Sequence, residues 1–173
     1  MPITLIVEDG TIVVNANTYV SLEEATAYLE IDPRFGPLWT GMPDDEKRKQ
    51  MLVFATRWLD ENYQWYGRQV EKTQALRWPR YGMNDGEYCV PSCVIPTALK
   101  HAVAMVAVWL FVTDPEEASN SVGIKRFRND TIEIEWQDNF SGQSAAPKWL
   151  SRLLRVFGVG PGDRGFKPIV RTN

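Results

Sequence analysis

The sequence predicts a mainly α protein: a small core of about four helices, an N-terminal β-hairpin, a β-hairpin arm near 122–136 and an extended C-terminal tail. Three observations carry this. Apolar residues recur at spacings of three and four over 44–63, 96–112 and 147–157, as on one face of a helix. Asp9-Gly10 lies between the β-branched runs Ile3-Thr4-Leu5-Ile6-Val7 and Ile12-Val13-Val14. Apolar and charged residues alternate from Ile132 to Trp136. With 173 residues the chain is read as one domain, 1–173, long enough to bury most of its apolar surface. Its arm is 122–136 and its tail 159–173.

In the expected hairpin Val7 faces Ile12 and Leu5 faces Val14, while Ile6 faces Val13 on the other side, so both faces need cover. Ser21 and Glu24 form a capping box that starts a helix from Leu22 to about Glu30, stopped by Asp32-Pro33. Phe35 to Met42 reads as a loop broken by Gly36-Pro37 and Gly41. Asp44, Asp45 and Glu46 open a long amphipathic helix to about Tyr63, with Lys47, Arg48, Lys49, Arg57 and Asp60 expected largely in water. Asn84-Asp85-Gly86 reads as a turn. The next helix, Pro96 to Val112, has no polar face in its second half, so it is expected at the centre of the core or in a subunit interface.

In the arm, Lys125, Arg126 and Arg128 oppose Glu133 and Glu135 across a turn at Asn129-Asp130, while Phe127, Ile132, Ile134 and Trp136 supply apolar positions. One apolar and one charge-paired edge suit an inter-subunit contact. Asn139 to Ala146 reads as a linker. Pro147 starts a last helix with Trp149, Leu150, Leu153, Leu154 and Phe157 on one side, ended by Gly158. Beyond it, Phe166, Lys167, Ile169, Val170 and Arg171 alternate as a docking strand would.

The chain is organised around a stretch rich in tryptophan, tyrosine and arginine. Trp58, Trp65, Arg68, Trp78 and Arg80 form its expected structural hub, in which Gly67 ends a helix and Trp78-Pro79 folds back on it. Its stretches Trp65-Tyr66-Gly67-Arg68 and Arg77-Trp78-Pro79-Arg80-Tyr81 also suit base stacking by single-stranded nucleic acid. Core packing is favoured, because 19 Lys and Arg against 22 Asp and Glu leave a net charge of -3, whereas stacking platforms usually come with positive charge.

No catalytic constellation is legible. His101 is the only histidine and lies in the apolar helix, so it is expected to be packed, and no hydrolytic triad forms without it. Cys89, Cys93 and His101 lack the further pair a zinc site needs, and both cysteines are expected to be reduced. Neither glycine-rich phosphate loops nor nucleophile elbows occur. The expectation is a protein without enzymatic activity or cofactor. A short, interrupted N-terminal apolar run and an eleven-residue longest run argue against a signal peptide or membrane span, hence for a soluble cytoplasmic chain.

Asn17 to Ala25, then Ala55-Thr56-Arg57-Trp58-Leu59-Asp60, then Gln74 to Arg80, then Val94-Ile95-Pro96 before an alanine-rich helix, resemble head-tail adaptor proteins of tailed bacteriophages. Such proteins often carry the provisional label of DnaT-like single-stranded DNA-binding protein. The resemblance covers most of the chain and rests on the order and spacing of these segments together. It implies a subunit of a homo-oligomeric ring, commonly twelvefold, in the neck of the virion and assembled in the host cytoplasm. Its implied partners are the portal protein above and the next neck or tail component below. Genomic DNA would pass through the channel without sequence-specific binding, and no membrane is involved. The alternative is a single-stranded DNA-binding protein. The 122–136 hairpin and the 35–42 loop are longer than the family pattern leads one to expect.

Overall fold

A computed structural model describes residues 2–113, 127–129, 132–134 and 146–161. Among them are five helices and four two-stranded antiparallel pairs, a small helix-dominated fold. The helices are α1 (Leu22–Glu30), α2 (Gly36–Thr40), α3 (Asp45–Asn62), α4 (Thr97–Val112) and α5 (Lys148–Leu154). The strand pairs are β1 (Gln64–Trp65) with β8 (Gly158–Val159), β2 (Arg68–Gln69) with β3 (Arg80–Tyr81), β4 (Met83–Asn84) with β5 (Cys89–Val90), and β6 (Phe127–Asn129) with β7 (Ile132–Ile134).

The core is built on α4. Every residue from Ala102 to Leu110 is buried, because α1, α3 and α5 all pack against it. A helix with no polar face can be stable in water only when so surrounded. Opposite it, α3 contributes Met51, Leu52, Ala55, Trp58 and Leu59, and Trp58 meets Trp109 edge to face with centroids 5.3 Å apart. The capping box of α1 is present as expected: Glu24 N–H donates to Ser21 Oγ and Ser21 N–H to the Glu24 carboxylate, each at 3.1 Å. Asp44 caps α3 through Lys47 N–H at 2.7 Å.

Four expectations are corrected. Asp9-Gly10 makes no hairpin. The Glu8 carboxylate is fully buried and accepts N–H bonds from Gly10, Ile12 and Val13 at 2.8, 3.0 and 2.9 Å, which curls the chain around it instead of extending it. Gly10 takes a φ of 106°, and the chain returns beside itself in a parallel bridge between Val7 and Thr18. Residues 36–40, expected as loop, form α2, since proline is tolerated in the first turn, where its missing N–H has no intrahelical partner anyway. Gly67 does not end α3, which stops at Asn62. It makes the turn into β2 at a φ of 63°, where any Cβ would strike the carbonyl of Tyr81. Gly158 does not end the last helix either; it pairs with Trp65 in β8, and Val159, the first residue of the expected tail, pairs with Gln64.

In the arm, Phe127 pairs with Ile134, Arg128 with Glu133 and Asn129 with Ile132 in backbone register, so the two strands of the expected hairpin are present. Lys125, Arg126 and Trp136 lie outside the described residues, as do the linker up to residue 145 and Phe166, Lys167, Ile169, Val170 and Arg171 of the tail. No described helix is long and apolar enough to cross a membrane.

Candidate functional site

The hub is a loop sewn onto α3 through one carboxylate. Asp60 lies on α3 four residues after the buried Thr56, so the helical repeat turns it toward the interior. It accepts bonds from Tyr19 Oη at 2.8 and 2.9 Å to its two oxygens, from Trp65 Nε1 at 3.2 Å and from the Arg77 N–H at 3.0 Å. Tyr19 Oη in turn accepts the Trp78 N–H at 3.1 Å. The segment before α1, the end of α3 and the hub loop are thereby tied at one point. The expectation that Asp60 lies largely in water is corrected. Its burial outweighs these three donors and pushes its pKa up to about 6, while burial and the facing carboxylate raise that of Tyr19 well above the usual phenol range.

Arg80 does the corresponding work for carbonyls. Its buried guanidinium donates to the backbone oxygens of Tyr66 at 2.6 Å, Arg77 and Gly67 at 3.0 Å and Trp65 at 3.5 Å. Among the described residues no carboxylate pairs with it, and burial lowers its pKa. The rings run in a continuous series: Tyr63 stacks on Trp65, Trp65 meets Trp78 edge to face at 5.9 Å, and Trp78 meets Phe157 from the last helical segment at 5.7 Å. Trp78 is wholly buried and Trp65 nearly so. Of the five expected hub residues, Trp65, Trp78 and Arg80 come together, Trp58 belongs instead to the contact between α3 and α4, and Arg68 faces outward on β2.

Arg68 and Tyr81 are directly paired across β2 and β3, and the Arg68 guanidinium carbon stands 5.3 Å from the Tyr81 ring centroid. Asp60, Tyr19 and Glu8 are the structural polar residues that the sequence reading passed over. For Asp60 the spacing to Thr56 was a usable signal; for Glu8 there was none. His101 is packed as expected, with its ring 3.7 Å from that of Tyr28 and nearly parallel, and its pKa lowered by burial. Cys89 and Cys93 are free thiols on the surface. Among the described residues no group of three His, Cys, Asp or Glu is placed to hold a metal ion.

Fold and hub together define a small helix-dominated protein whose aromatic and arginine cluster is chiefly a packing and hydrogen-bonding unit. The chain belongs to the family described as "Putative DnaT-like ssDNA binding protein", whose model matches residues 3–172. No curated protein and no solved structure matches it.

Proposed function

We propose that the protein is a structural subunit of a phage head-tail adaptor, a homo-oligomeric ring, twelvefold by resemblance, that sits beneath the portal in the virion neck. The observation that carries this reading is a sealed core that leaves large aliphatic side chains in water: Val14 is 79% exposed, Ile31 80% and Val112 46%. Contiguous exposed apolar surface marks contacts between subunits, and these side chains are the ones we propose to contribute to it. The strand pair β6–β7, with Phe127, Arg128, Ile132 and Ile134, is the proposed inter-subunit arm, and Phe166, Lys167, Ile169, Val170 and Arg171 the proposed dock for the portal or a neighbour. A ring with net negative subunits would let genomic DNA slide through its channel without gripping it. The proposed role needs neither a catalytic step nor a cofactor.

The test is loss of the protein during phage assembly. DNA-filled heads that lack tails, and that join tails once the purified protein is added, are the expected result. Normal particles that do not contain the protein would overturn the reading.

A second reading, single-stranded DNA binding, is favoured by the family's description. The inward-facing hub weighs against it, since Trp65, Trp78 and Arg80 are buried and not open to a base. Salt-dependent binding of an oligonucleotide separates the two, because the second reading demands it and the first does not.

A further inference from the structure

We infer that the outer side of the β2–β3 ribbon is a contact surface for single-stranded nucleic acid, with Tyr81 as the stacking ring and Arg68 as the cation beside it. The inference rests on the second reading above and gives it a place on the molecule. Two stretches of the hub, Trp65 to Arg68 and Arg77 to Tyr81, each mix rings with arginine. Within the ribbon the two-residue repeat of a strand sets Arg68 and Tyr81 on one side and Gln69 and Arg80 on the other. Inward go Trp65, Trp78 and Arg80, where the fold uses them. On the outer side Arg68 and Tyr81 face each other and are both exposed.

Three observations make this pair available. Tyr81 is 42% exposed, so ring area faces solvent. Arg68 makes no ion pair with any carboxylate among the described residues, which leaves its charge for an outside anion. Gly82 follows at a φ of 73°, and nothing lies within 4 Å of where its side chain would be, so a nucleotide can approach the backbone there. A ring with a guanidinium at 5.3 Å combines the two elements of sequence-tolerant recognition, a face for any base and a cation for its phosphate. Duplex DNA offers no free base face to such a ring.

The test is fluorescence anisotropy of a labelled oligo-thymidylate against the full chain, with thermal melts to check folding. Because both side chains are outside the core, Tyr81→Ala and Arg68→Ala are expected to melt like the parent. Tyr81→Ala should weaken binding about tenfold, the loss of one stacked base, and Tyr81→Phe should retain it. Arg68→Ala should lower the salt slope by about 0.7, one phosphate contact on a single strand. Phe54→Ala is the control, since Phe54 and Arg57 form the other exposed ring and guanidinium pair, on α3. A parent that binds while Tyr81→Ala binds equally well, or that loses binding through Phe54→Ala instead, overturns this surface and leaves the second reading standing. Duplex bound as tightly as single strand overturns stacking. A parent that binds no oligonucleotide overturns both.

Discussion

At Asp60 the balance is between desolvation and donors. Its carboxylate faces three donors, yet burial dominates, and its pKa is pushed up to about 6 from an ordinary 3.8. A carboxyl that holds its proton more tightly folded than unfolded adds stability at low pH, and that contribution disappears as pH rises from about 4 to about 6. Two units correspond to at most about 3 kcal/mol. Urea unfolding of the parent and Asp60→Asn should therefore diverge across that window and run parallel above it. Identical pH profiles would show that Asp60 does not titrate in this way. Trp78, wholly buried between Trp65 and Phe157, tests packing alone. Trp78→Ala should cost about 3 to 5 kcal/mol, as truncation of a buried large ring does, and a melt like the parent's would deny the hub its place in the core.

The elements legible in the sequence were those whose signals are local. Ser21 with Glu24, Asp44 before an amphipathic run and Pro96 before an apolar one marked α1, α3 and α4 within a residue or two, since caps and periodicity act within one or two turns. The unread elements depend on distant partners. The β1–β8 pair joins residues 65 and 158, and the N-terminal loop depends on Glu8 choosing backbone donors over solvent. Asp9-Gly10 is a sound hairpin signal that a buried carboxylate overrides. In the hub, the inward turn of Trp78 was legible from composition, whereas the role of Asp60 needed Tyr19 from another segment. Glu8→Ala tests the override. Three N–H groups lose their acceptor, while Ile12 and Asn15 keep positive φ angles of 63° and 58° that their neighbours must hold. We expect a loss of about 2 to 4 kcal/mol, with early hydrogen exchange at Ile12 and Val13. Unchanged protection at those amides would mean that the loop holds its shape without Glu8.

At the scale of the whole molecule, the stretch from Gly158 to Gly160 is tied back onto β1 and Tyr63. Gly158 and Val159 pair with β1, and Gly160 lies so close to the Tyr63 ring that a side chain there would collide with it. The segment beyond Gly162 is the proposed docking element of the adaptor: in the sequence its apolar Phe166, Ile169 and Val170 are interspersed with Lys167 and Arg171, as in a strand added to a partner. Ordering such a segment costs conformational entropy, which a partner's surface can offset. Deleting the residues after Gly162 is expected to leave the thermal melt within about 2 °C of the parent, since the contacts of α4, α5 and β8 are kept. The same deletion is expected to prevent attachment to DNA-filled heads. Melting and head attachment, measured on one preparation, separate a folding defect from a docking defect. A truncated protein that folds and attaches normally would move the docking role to α5, where Arg152 is exposed, with Arg155 exposed just beyond it.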